Sequence, residues 1–166
     1  MHALQFSPQS PKKIDATLRG LVDYLGLDPG TAVQLKYSKP DAFEPEHDYC
    51  HFNVWCQLRQ VGGTPQPGWV LAQDKQKSFA EAIFHAVWRH PDGRLIDVTP
   101  RKDKEKRLLF VPDLTRSIVL TSYDGKPAIH TFDNVRLLGN SLMTPLTEIT
   151  VVMEGDFPQR QGLWPW

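Results

Sequence analysis

Cysteine is scarce in this chain: only Cys50 and Cys56 occur among 166 residues. Two thiols so close in sequence make no disulfide framework. On one helix, at about 100° per residue, their side chains would diverge by about 120°, which argues against a bridge between them. An excess of charge of one sign is also missing. The 19 basic and 19 acidic residues cancel, so no electrostatic footprint for nucleic acid or an anionic membrane shows in the total. No apolar run approaches the roughly 20 residues needed to span a bilayer. Met1 to Pro8 lacks the basic segment and apolar core of a signal peptide. The expectation is a cytoplasmic protein with reduced thiols. No repeat, low-complexity segment or domain boundary stands out, and the length suffices to bury a core without disulfides or metals. One domain over residues 1–166 is expected.

Proline, by contrast, is plentiful: fourteen residues favour short strands, turns and loops over a helical bundle. Ser10-Pro11 reads as the start of a helix, with Ser10 as N-cap, and Ile14, Leu18, Leu21, Val22 and Leu25 form its apolar stripe. Gly26 is its stop. Val33, Leu35 and Tyr37 alternate as a strand. Asp48 is positioned to cap a second helix, which would put Cys50 in the first turn. Phe52, Val54, Trp55, Cys56, Leu58 and Val61 are apolar on more than one face, so that helix should be largely buried. Gly62-Gly63 ends it, and Thr64 to Gly68 reads as a loop. Strands follow at 69–72, at Phe79 to Arg89, at 108–111, 118–121 and 128–132, then at 135–138 and 148–153. The C-terminal part, 108–166, should extend the sheet, and the aromatic tail, Phe157 to Trp166, should fold back onto the body.

The densest chemistry lies between residues 48 and 100. A helix N-terminus offers unpaired N–H groups and partial positive charge, and both favour a thiolate over a thiol. Cys50 is placed for that and Cys56 is not. His85 and Asp97 can be related by register. If Pro91-Asp92-Gly93 is a three-residue hairpin loop, Trp88 pairs with Ile96 and Val87 with Asp97. His85, Val87, Leu95 and Asp97 then share one face, and Phe84, Ala86, Trp88, Ile96 and Val98 share the other. Asp97 becomes a diagonal neighbour of His85, within hydrogen-bonding reach. A two-residue turn would strand Asp97 among apolar side chains. The triad Cys50, His85 and Asp97 supplies a nucleophile, its base and the group that orients the base.

A buried helix led by Cys, a strand bearing His and a hairpin partner bearing Asp resemble the papain-like fold. The segments His85-Ala86-Val87-Trp88 and Asp97-Val98-Thr99-Pro100 are similar to the His-x-aromatic and Asp-Pro-Thr segments of the transglutaminase-like superfamily. The likeness covers about 50 residues. It departs in a shorter His-to-Asp interval and in His51, which follows the cysteine where that group has a small or polar residue. The resemblance implies an α+β domain with the Cys-bearing helix packed on an antiparallel sheet. It also implies thiol-dependent acyl transfer, by hydrolysis of an amide or related bond, with no cofactor and with a protein, peptide or small amide as substrate.

Blander readings exist for each residue. Cys50 can be a core cysteine, His85 a strand histidine satisfied by a carbonyl, and Asp97 a carboxylate capping a turn beside Thr99. Asn53 is a candidate oxyanion donor one helical turn beyond the nucleophile. Trp69 and Trp88 read as core. His47, Cys50, His51 and Cys56 have the residue types of a zinc site, but their spacing matches no familiar one. The alternative to an enzyme is a β-rich binding or inhibitory module with a degenerate papain-like shape.

Overall fold

A computed structural model describes residues 5–166, so Met1 to Leu4 of the segment read against a signal peptide lie outside the described residues. The first helix, α1, runs over Ala16–Tyr24 and buries Leu18, Leu21 and Val22. Its N-cap is Asp15, whose carboxylate accepts from Leu18 N at 3.0 Å. The expected start at Ser10-Pro11 is corrected, because the Ser10 hydroxyl is engaged elsewhere. It donates to Leu71 O and accepts from Leu109 N, stitching two strands together.

Those strands belong to an antiparallel sheet with the order β1 (Val33–Lys36), β5 (Arg107–Pro112), β2 (Thr64–Asp74), β3 (Phe79–Arg89), β8 (Val135–Leu138), β9 (Ser141–Thr144). A two-residue strand, β4 (Leu95–Ile96), pairs with the end of β3. A parallel bridge between Tyr37 and Asp97 brings the chain after β4 back to the end of β1. The strip β1-β5-β2-β3-β4 therefore curls almost into a closed barrel. Its concave face holds Leu35, Val70, Val87, Leu108 and Phe110. Its convex face carries α1, packed on Trp69, Leu71, Ala82 and Phe84. The second helix, α2 (Cys50–Val61), packs there through Val54 on Ala86 and Trp88.

Residues 64–68 extend β2 rather than forming the expected loop. Their two prolines suggested a break, since proline cannot donate to a ladder. Here the β5 ladder reaches only as far as Gly68; just beyond it Asp113 N donates to Pro67 O at 3.0 Å, a contact that uses the proline's carbonyl and not the N–H it lacks. Gly68 lies opposite His85, and a Cβ there would overlap the Phe110 ring and the Val111 carbonyl. The missing side chain lets Phe110 cross the concave face directly beside the histidine.

A second sheet, in the order β10 (Glu148–Val152), β7 (Lys126–Phe132), β6 (Val119–Tyr123), is separate from the first. Of residues 108–166, β5, β8 and β9 join the main sheet as expected, and β6, β7 and β10 do not. Those three are needed elsewhere, because α2 is apolar around most of its circumference and one sheet covers only one side. Ile129, Met153, Phe157 and Leu163 cover Phe52 and Cys56 on the far side. The tail, including the short helix α3 (Phe157–Arg160), folds back as expected. Arg59 donates to Gly162 O at 3.0 Å, and Trp166 stacks on Phe52 with ring centroids 5.7 Å apart. The architecture is α+β with mainly antiparallel sheets. No helix among the described residues is long and apolar enough to cross a membrane.

Candidate active site

The hairpin loop fixes the geometry. His90 N donates to Arg94 O at 2.9 Å across Pro91-Asp92-Gly93, and Trp88 pairs with Ile96, which is the three-residue register. His85 and Asp97 consequently share the concave face, and His85 Nε2 lies 3.1 Å from Asp97 Oδ1. The same Oδ1 accepts from Thr99 N at 3.1 Å. The turn-capping role for Asp97 is thus present together with the His-orienting one. Asp97 is only 1% exposed, and its backbone oxygen accepts from Ser38 N at the bridge that curls the sheet. The carboxylate is held by the fold itself.

Cys50 arrives from the convex side through a gap. On the free edge of β3, β8 pairs only with Phe79 to Ala82 and β4 only with Trp88 and Arg89. Residues 83–87 have no strand beside them there, and the start of α2 fills the space. Ala86 N donates to Cys50 Sγ at 3.4 Å. Opposite Ala86 on β2 stands Pro67, which has no N–H. This pair exchanges no ladder bond, so the Ala86 N–H points outward to the sulfur.

Cys50 lies in the first turn of α2, as expected, and is its first residue, but Asp48 is not its cap. Asp48 adopts a left-handed φ of 64° and turns its carboxylate outward, 3.5 Å from Lys102 Nζ. Tyr49 takes the N-cap position without a side-chain cap bond. The first-turn N–H groups are therefore left uncapped beside the sulfur. The first intrahelical bond runs from Asn53 N to Tyr49 O.

Electrostatics at the sulfur oppose its burial. Desolvation alone would push the Cys50 thiol up, but the charge on His85 and hydrogen bonds from His51 and His85 lower it to about 5. For His85, burial would push the imidazole down, yet the charges of Asp97 and Cys50 raise it to about 10. Both shifts run in the direction that favours a thiolate beside an imidazolium. With Nε2 on Asp97, Nδ1 is the ring nitrogen of His85 left free to act on the sulfur. Cys56 behaves oppositely: burial pushes its thiol up to about 11, as befits a core residue.

Asn53 is not the oxyanion donor considered above. It is fully buried, and Nδ2 donates to Glu46 O at 2.7 Å and to Thr99 Oγ1 at 3.1 Å, while Oδ1 accepts from Glu46 N. Both of its hydrogens are committed to tying the segment before Cys50 to the segment after Asp97. Trp69 and Trp88 are core residues, their indole N–H groups donating to Asp113 Oδ2 and Gly62 O. Among the described residues no three His, Cys, Asp or Glu side chains are arranged to hold a metal ion. The zinc set fails because Cys50 faces the main sheet and Cys56 faces the second sheet and tail.

Two contributors to the sulfur's surroundings were not part of the expected triad, and the one role the sequence suggested for His51 was that of a candidate zinc ligand. Ala86 acts through its backbone and leaves no side-chain signal. His51, with Nδ1 at 3.6 Å from Cys50 Sγ, was visible as an unusual neighbour of the cysteine. A cleft of about 770 Å³ on the second sheet, lined by Arg116, His130, Phe132 and Glu148 among others, contains none of the triad. It contains hydroxyls, Thr150 Oγ1 at 2.8 Å from His130 Nδ1 among them, but no cysteine, so the grouping of Cys50, His85 and Asp97 rather than the cleft marks the candidate site. No protein-family model, curated protein or solved structure matches the chain.

Proposed function

We propose that this protein is a papain-like cysteine acyl-transfer enzyme that hydrolyses an amide or related bond, in a protein, peptide or small amide, through a thioester on Cys50. The observation that carries the reading is the buried pair of His85 and Asp97, with His85 Nε2 at 3.1 Å from Asp97 Oδ1, beside a buried Cys50 whose thiol His85 pulls down. A helix led by cysteine and packed outside a curled antiparallel strip that bears the base supports the papain-like comparison.

In the resting site the thiol proton resides on His85 Nδ1. The sulfur adds to the acyl carbon, forming the S–C bond and moving the carbonyl π electrons to oxygen, where first-turn N–H groups of α2 are available as donors. Collapse re-forms the carbonyl and breaks the C–N bond, and His85 gives its proton to the departing amine. Water then attacks the thioester, His85 takes its proton, the acid leaves, and the thiolate returns. Asp97 keeps the imidazole oriented and its charge compensated throughout.

The test is to trap the intermediate. With p-nitrophenyl acetate, one equivalent of nitrophenolate should appear in a burst, with the acetyl group on Cys50 by peptide mass spectrometry, followed by steady hydrolysis. His85→Ala should slow both phases, and Cys50→Ala should abolish them. Acetylation absent from Cys50, or unchanged in Cys50→Ala, would refute the enzyme reading. Because Cys50 and His85 are each only 6% exposed, that negative result would favour the non-enzymatic binding module with the same fold.

A further inference from the structure

His51 stands beside the nucleophile and is not used in the scheme above. It is the second residue of α2, and side chains of a first helical turn lean back toward the helix start, where the sulfur lies. Its Nδ1 is 3.6 Å from Cys50 Sγ. Its ring is set against the fully buried Phe52 at a centroid distance of 4.5 Å, and Phe52 is in turn stacked on Trp166. The ring is therefore oriented by packing. Its other nitrogen, Nε2, is sealed and finds no hydrogen-bond partner among the described residues.

Those observations select one protonation state. An imidazolium, or a neutral ring protonated at Nε2, would bury an orphaned N–H donor, which folded proteins avoid more strictly than an orphaned acceptor. A neutral ring with its proton on Nδ1 leaves only a lone pair unpartnered and presents an N–H to the sulfur. Around Cys50 Sγ the donors are then Ala86 N–H, His51 Nδ1–H and the His85 imidazolium. A thiol, with one proton to give, does not call for several donors; a thiolate accepts them all.

We propose that His51 is a second, neutral imidazole on the nucleophile, a donor that stabilises the Cys50 thiolate independently of the general base His85. This rests on the acyl-transfer reading and deepens it. Activation of the sulfur is divided between two histidines, while proton transfer to leaving group and from water falls to His85 alone. The titratable groups acting on the sulfur are His51 from its own helix and His85 from β3, with Asp97 behind His85. Removing His85 should then slow turnover sharply yet leave a thiol that still titrates below an ordinary cysteine.

The experiment measures the pH midpoint of Cys50 alkylation by iodoacetamide in the full chain, for wild type, His51→Phe, His51→Asn and His85→Ala. Phenylalanine keeps a ring against Phe52 and has no donor; asparagine carries an N–H at the position of Nδ1. The expected result is a midpoint about one unit higher in His51→Phe, a tenfold loss of thiolate at a given pH below it, with recovery in His51→Asn. An unmoved midpoint in His51→Phe, or no recovery in a folded His51→Asn, overturns the proposal while a low wild-type midpoint leaves the acyl-transfer reading standing. An ordinary wild-type midpoint overturns both. Should His51→Phe not fold, ring ¹⁵N shifts of wild-type His51 decide: a neutral ring protonated at Nδ1 supports the donor role, and protonation at Nε2 refutes it.

Discussion

Asp97→Asn removes the charge and puts an amide NH2 at the Oδ2 position, which is buried without a hydrogen-bond partner among the described residues. An asparagine oxygen can still accept from both Thr99 N and His85 Nε2, the two bonds that Asp97 Oδ1 makes at 3.1 Å, so the local shape is kept. At that separation and an effective dielectric of about 20, a unit charge is worth about 5 kcal/mol to an imidazolium, or about four units of its titration. That is the gross attraction, and the burial that disfavours an imidazolium remains. The expected fall in the His85 titration is therefore about two to four units, from about 10 toward its ordinary 6.5. The Cys50 thiol should rise in response, since it loses the imidazolium that holds it down. The assay is the pH profile of Cys50 acetylation by p-nitrophenyl acetate. The wild-type upper limb should lie near 10, and in Asp97→Asn it should move down by those two to four units, with a rate loss of at least about 100-fold at neutral pH. An upper limb that stays in place in a folded variant would show that the Asp97 charge does not act on His85, and the orienting role would fall.

The ion pair should also shape stability. His85 is raised from 6.5 to about 10, so its contribution is full below 6.5 and is lost as pH rises through 10. Cys50 is lowered from 9.0 to about 5, so its contribution is full above 9.0 and is lost as pH falls through 5. The two slopes cancel between 6.5 and 9.0, so urea midpoints of wild type relative to the double variant Cys50→Ala/His85→Ala should be flat across that window and fall on both sides. A difference that is independent of pH would refute the coupling. Asn53→Ala removes a fully buried side chain that satisfies Glu46 and Thr99. It should cost about 2–4 kcal/mol in urea unfolding and slow acetylation of Cys50; a loss below about 0.5 kcal/mol would contradict that role. Gly68→Ala drives a methyl into Phe110 and the Val111 carbonyl and should destabilise by about 1–3 kcal/mol. A neutral effect would mean that Phe110 yields freely.

Much of the site was legible because its parts are local. The His85–Asp97 relation follows from one loop length: with alternation fixed, Pro91-Asp92-Gly93 as a three-residue turn puts both side chains on one face. The start of α2 at Cys50 and the burial of that helix were likewise readable from pattern. Asp48 shows where such reasoning stops. Residue type suggested a cap, but its left-handed backbone turns the carboxylate away, and nothing in the local sequence announces that. Thr64 to Gly68 was misread because proline breaks a strand only where its N–H is needed, and the reach of β5 is a non-local fact. The same applies to the second sheet. Which strands leave the main sheet to cover α2 depends on pairings distant in sequence, as does the gap on β3 that delivers the Ala86 N–H to the sulfur.

The central claim is that Cys50 is a thiolate at neutral pH, and the rate of its alkylation against pH tests it most directly, each cysteine being followed by peptide mass spectrometry. Cys50 should react half-maximally near pH 5 and hold a plateau through neutrality, while Cys56 should stay inert until about pH 11. A Cys50 rate that climbs steadily through neutrality and levels only near the ordinary value of 9.0 would contradict the account.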